Sequence, residues 1–166
     1  MREFVMGRVR AGMIAPLIAV WLVLAGVVPL HAETSAVDAK KVVRLLQGTG
    51  LKYTAHEGKV WTVDFAGKKI GRSTVVVTNN ARLLVIFADI ARSKTLEKGV
   101  PLMQALLHAD HSFDYVKIGF DDDGDLFVRI DAPLRVTDAR QLKDDIRQVM
   151  RVADDLYGAV TPYIKR

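Results

Sequence analysis

Residues 114–133 read DYVKIGFDDDGDLFVRIDAP. Val116, Ile118 and Phe120 alternate with Tyr115, Lys117 and Gly119; beyond four aspartates, Leu126, Val128 and Ile130 alternate with Phe127, Arg129 and Asp131. A period of two marks strands that turn one face to a core. Two such runs joined by Asp and Gly predict an antiparallel hairpin, because these residues favour the conformations a short turn needs. The competing reading, a calcium loop, fails on spacing. With Gly124 as the sixth loop position, the loop would begin at Gly119, which has no side-chain oxygen, and end at Ile130, which cannot supply the bidentate carboxylate. The aspartates therefore read as a solvated hairpin tip, and Ala132-Pro133 closes the second strand.

On either side of this hairpin the period changes to that of a helix. Leu102, Leu106 and Leu107 recur at helical spacing over residues 98–110, with Pro101 tolerated in the first turn. Downstream, Thr137 is the expected cap of a long final helix. Its stripe is Leu142, Ile146, Val149, Ala153, Leu156 and Val160, while Lys143, Asp144, Arg147, Arg151 and Asp154 lie on the other side. An earlier helix is expected over 36–47 from Ala39, Val42, Val43, Leu45 and Leu46, opened by Ser35 with Asp38 and stopped by Gly48 and Gly50.

Between the first two helices the sequence predicts two more hairpins. Tyr53 to His56 and Val60 to Phe65 flank a Glu57-Gly58 turn; Thr74 to Thr78 and Arg82 to Ala88 flank an Asn79-Asn80 turn. The order is α-β-β-β-β-α-β-β-α, an α+β domain with an antiparallel sheet and three helices. The second of these hairpins is apolar on both faces, so one face is covered by helices and the other is available to a partner. Val76, Leu84 and Ile86 are assigned to the partner-facing side, the alternative being that a helix covers them.

The first 32 residues differ in composition. Arg2, Arg8 and Arg10 precede an uncharged apolar run, Met13–Leu30, and Leu30-His31-Ala32 offers a small-residue cleavage site, so residues 1–32 are expected to be a signal peptide and 33–166 a single exported domain. Its removal takes three basic residues and one acidic one, lowering the formal charge from +5 to +3. So balanced a domain gives no electrostatic case, by net charge alone, for nucleic acid or an anionic membrane surface, and no stable membrane insertion is expected after cleavage. The chain has no cysteine, which excludes thiol nucleophiles, thiolate metal sites and disulfides.

No constellation of catalytic residues emerges. His108, Asp110 and His111 fall at the end of a helix, where such residues ordinarily cap it. Ser35, Ser73, Ser93 and Ser112 stand in no nucleophile motif. Lys59, Lys68, Lys69 and Arg72 form a basic edge near Trp61, and lysines on strand edges discourage aggregation. No cofactor, metal or catalytic residue is assigned.

The segment DYVKIGFDDDGDLFVRIDAP, followed by a long helix ending ADDLYGAV, resembles the YbjN family, whose members look like class I type III secretion chaperones in fold. The likeness spans about residues 36–160. It implies an antiparallel sheet with helices packed against it, used as a protein-binding or dimerising module without catalytic residues. The expected function is an exported, non-enzymatic, chaperone-like module that binds a protein partner or a second copy of itself in the periplasm or outside the cell. The rival expectation, a small-ligand or lipid carrier, requires an enclosed cavity.

Overall fold

The computed structural model describes residues 30–80 and 82–165, with side chains from Asp38 onward. Nearly all of the expected signal peptide, residues 1–29, lies outside the described residues. The elements are α1 (Leu30–Thr49), β1 (Thr54–His56), β2 (Val60–Ala66), β3 (Arg72–Asn80), β4 (Leu83–Ala91), α2 (Val100–His111), β5 (Lys117–Phe120), β6 (Leu126–Pro133) and α3 (Ala139–Val160). Their order is the expected one. Helix α1 extends beyond the predicted 36–47, running through Ser35 instead of starting there. Gly48 belongs to the helix, where it lets α1 approach α3: a Cβ at this position would lie 2.7 Å from the Ala139 Cβ. The stop is Gly50, whose φ of 69° an L side chain rarely adopts.

The six strands form one antiparallel sheet in the order β1-β2-β3-β4-β6-β5. The expected hairpin stands at one edge, with Ile118 opposite Val128 and Phe120 opposite Leu126. Its tip is closed by backbone bonds from Asp121 to the Asp125 carbonyl (3.0 Å) and from Gly124 to the Asp121 carbonyl (2.9 Å). The Asp125 carboxylate leaves the tip to accept the Ser93 N–H at 2.7 Å. At the β3–β4 turn the expectation shifts. Asn79 and Asn80 pair with Leu84 and Leu83, so they are strand residues and the turn follows them.

The three helices among the described residues all serve one face of the sheet. Helix α3 lies across β3, β4 and β6, α1 packs on α3 and β3, and α2 packs on α3 and β5. The buried strand positions, Trp61 and Val63, Val75 and Val77, Leu84 to Ile90 by twos, and Leu126 to Ala132 by twos, meet the α3 stripe Leu142, Ile146, Val149, Ala153, Leu156 and Val160 in one cluster. Each fully buried Leu or Ile here contributes roughly 1.5–3 kcal/mol over an exposed one. The cap of α3 is Asp138, not Thr137. The Asp138 carboxylate accepts the Gln141 N–H at 2.8 Å, while the Thr137 hydroxyl donates to the Pro133 carbonyl at 2.9 Å.

Candidate protein-binding surface

The partner-facing set read from the sequence does not share a face. In β3–β4 the register pairs Val77 with Ile86 and Val76 with Phe87, so residues of opposite parity lie side by side. Leu84 and Ile86 fall on the helix-covered face and are 0 % exposed. They are core, because side chains alternate along a strand and this face holds the helices. Val76 is on the opposite face, half-buried, in a row that runs Thr62, Val76, Phe87, Arg129, Lys117 across five strands. Among the described residues no helix packs on this side of the sheet, and Val60, Val85 and Phe127 add to its apolar content.

The same face carries a fixed charge group. Asp131 accepts from Lys117 Nζ at 2.7 Å and from Arg129 Nη2 at 3.0 Å. Burial pushes the Asp131 carboxyl up, but the bonds and charges of Lys117 and Arg129 together outweigh it and hold it below the usual carboxylate range. The uncovered face is thus an apolar band with a charged margin towards β5.

Helix α2 carries a second apolar surface. Its sequence, VPLMQALLHADH, places Leu102, Leu106 and Ala109 against the core. A turn of 3.6 residues sets Leu107 about 140° around the axis from Leu102, so it leaves the buried stripe to which its spacing seemed to assign it. It joins Val100 and Met103 on the outside, and the three are 70 %, 38 % and 72 % exposed in chain order. Sequence reasoning recognised this helix but missed its outer row. The signal was present in the run VPLMQALL, which holds more apolar residues than one face can bury.

The other candidate groups resolve into structural roles. His108 and His111 are exposed at the end of α2, where the His108 carbonyl accepts the Ser112 hydroxyl at 3.2 Å. Among the described residues no three His, Asp or Glu side chains come together as a metal site. His56 is apart from them, its Nε2 2.8 Å from Thr62 Oγ1. The basic β2–β3 connection is tied to the end of α3: the Asp154 carboxylate accepts the N–H groups of Lys69 and Ile70 at 2.7 and 2.9 Å, and Lys69 Nζ donates to Asp155 at 2.7 Å. Those backbone bonds hold Asp154 below its ordinary pKa. Trp61, expected beside this edge, faces the core at 4 % exposure. A carrier would need an enclosed chamber; between sheet and helices the buried apolar side chains form one cluster.

No protein-family model and no curated protein sequence matches the chain, so the YbjN resemblance rests on the residues that carry it. In three dimensions the chain is similar to a chain of the complex between the Yersinia pestis type III secretion chaperone SycH and a stable fragment of YscM2. The TM-score is 0.51 at 18% identity, over 72% of this chain and 98% of that one. It is also similar to a chain of the ExsC–ExsE complex, with a TM-score of 0.53 at 18% identity, over 74% of this chain and 95% of that one. At such identities the likeness concerns architecture: the protein has the α+β fold of type III secretion chaperones, a six-stranded antiparallel sheet with three helices.

Proposed function

We propose that this protein is a non-enzymatic, chaperone-like protein-binding module of the YbjN type that is exported from the cytoplasm. One observation carries the reading: α2 carries two apolar rows, and the fold buries only one of them. A surface helix that needed only the fold would present a polar outer face; a row of Val100, Met103 and Leu107 in water is stabilised when another polypeptide covers it. A second copy of the chain supplies such a cover by two-fold symmetry, since the row packs on itself. The uncovered sheet face around Val76 offers a further apolar surface to a client. Support also comes from the solved neighbours, both of them complexes with a protein partner. Export rests on the basic start, apolar run and Ala32 boundary of the sequence.

Sedimentation velocity on wild type and Leu107→Lys tests the assignment. The wild type is expected to self-associate and the variant to be monomeric with an unchanged melting temperature. A wild type that stays monomeric at the highest attainable concentration overturns the self-pairing of α2. A variant that unfolds moves Leu107 into the core. For export, mass spectrometry of protein from its native host is expected to find an N-terminus at or near Glu33, and a soluble fraction that retains Met1 speaks against it.

A further inference from the structure

The formal charge of the chain is modest, but its distribution is uneven. One pole of the domain gathers the β3–β4 connection, the segment between β6 and α3, and the turn of α1 around Lys41. There Lys41, Arg82 and Arg135 line a cleft of about 490 Å³, with Asp38 as the one acid in its wall. The group is held by backbone: Lys41 Nζ donates to the Leu134 and Arg135 carbonyls at 2.6 and 3.1 Å, and the Leu134 N–H donates to the Arg82 carbonyl at 2.9 Å. Neither Arg82 nor Arg135 forms an ion pair among the described residues. Each arginine is followed by an exposed aliphatic residue, Leu83 at 38 % and Val136 at 63 %.

An arginine followed by an exposed aliphatic residue, once at the start of β4 and once in the segment between β6 and α3, suits the boundary between headgroups and acyl chains. The guanidinium meets phosphate while the aliphatic group leaves water. A nucleic acid would match the charge but offer no apolar layer for Leu83 and Val136.

We propose that this pole docks on a bilayer surface of anionic phospholipid, with Arg82 and Arg135 on headgroup phosphates and Leu83 and Val136 in the interface. The proposal does not use α2 and stands apart from the protein-binding reading.

The full chain lacks cysteine, so Val136→Cys provides a single attachment point for an environment-sensitive fluorophore. Emission at position 136, and not bulk binding, is the informative readout, because it reports on the pole alone. A blue shift is expected on vesicles of phosphatidylglycerol mixed with phosphatidylcholine, absent on phosphatidylcholine alone and reversed by salt. Combining Arg82→Gln with Arg135→Gln is expected to weaken this docking about 30-fold, each arginine being worth about a factor of five near an anionic surface. If the double variant does not fold, the comparison of the two lipid mixtures decides by itself. Equal emission on both vesicle types overturns the proposal. So does a shift produced without vesicles by glycerol phosphate or a short DNA duplex, which would assign the pole to small anions or to nucleic acid.

Discussion

Helices α3 and α2 both lie on the same core, yet they are written differently. Over Ala139–Val160, α3 confines its large aliphatic residues to one stripe and gives the other side to Lys143, Asp144, Arg147 and Arg151. Over Val100–His111, α2 buries Leu102 and Leu106 and leaves Val100, Met103 and Leu107 exposed beside them. A helix with one apolar stripe is accounted for by the fold it closes. A helix with two is accounted for only when something beyond the fold is added, and that surplus is the strongest functional signal in the molecule.

The comparison breaks first on stability. Leu142→Ala, in the α3 stripe, is expected to cost about 2–5 kcal/mol in chemical denaturation through the cavity it leaves. Leu107→Ala is expected to stay within about 0.5 kcal/mol. Equal losses at the two sites would erase the distinction between a folding face and a binding face. The start of α3 gives the next effect: Asp138→Ala removes the acceptor of the Gln141 N–H and is expected to cost about 1 kcal/mol, measurable in the same titration.

A smaller change of opposite sign is expected within α3. Asp145 is 2 % exposed, with Oδ1 bonded to Gln141 at 2.7 Å and Oδ2 without a partner. Burial is the main cause that raises its pKa, and the neighbouring Asp144 charge adds to it against the Gln141 bond. With the folded pKa above the unfolded one, the ionised carboxylate weakens the fold at neutral pH, and the penalty fades as pH falls through the folded pKa towards the unfolded value. Asp145→Asn should therefore melt higher than wild type at pH 7 and lose this advantage in acid. A variant that melts lower at pH 7 would mean that Asp145 is a stabilising anion.

A small stability change is also expected at the hairpin tip. Replacing Asp121, Asp122 and Asp123 by Asn should leave stability within about 1 kcal/mol, because the turn keeps its backbone bonds and loses only screened repulsion. A calcium-dependent rise in melting temperature, seen in wild type and absent from the triple variant, would show that the tip is more than a turn.

The α+β class, the order of elements and the α3 stripe were legible because each rests on a local period that the burial pattern obeys. Facing was less legible. Val76, Leu84 and Ile86 were grouped by composition, but across this hairpin residues of opposite parity stand side by side, so Val76 shares its face with Val85 and Phe87 and not with Leu84 or Ile86. Leu107 was placed in the core because it follows Leu106, although neighbours on a helix point in different directions. The caps show the same limit. Thr137 and Asp138 both favour an N-cap, and only the path of the chain out of β6 gives the hydroxyl to Pro133 and the carboxylate to the helix. The basic pole was invisible to net charge because its members come from three separate segments.

The tie between Asp154 and the N–H groups of Lys69 and Ile70 joins positions 85 and 84 residues apart. The pairing of β4 with β6 is also long-range, and α3 supplies the cover for β3, β4 and β6. The first four strands can pair with one another as they leave the ribosome, but their apolar side has no lid until the carboxyl-terminal helix has been made. Closure is therefore a late event in the life of each polypeptide, and a ribosome stalled before that helix holds a greasy, unfinished sheet. The element that locks the sheet is thus made only after every strand it covers.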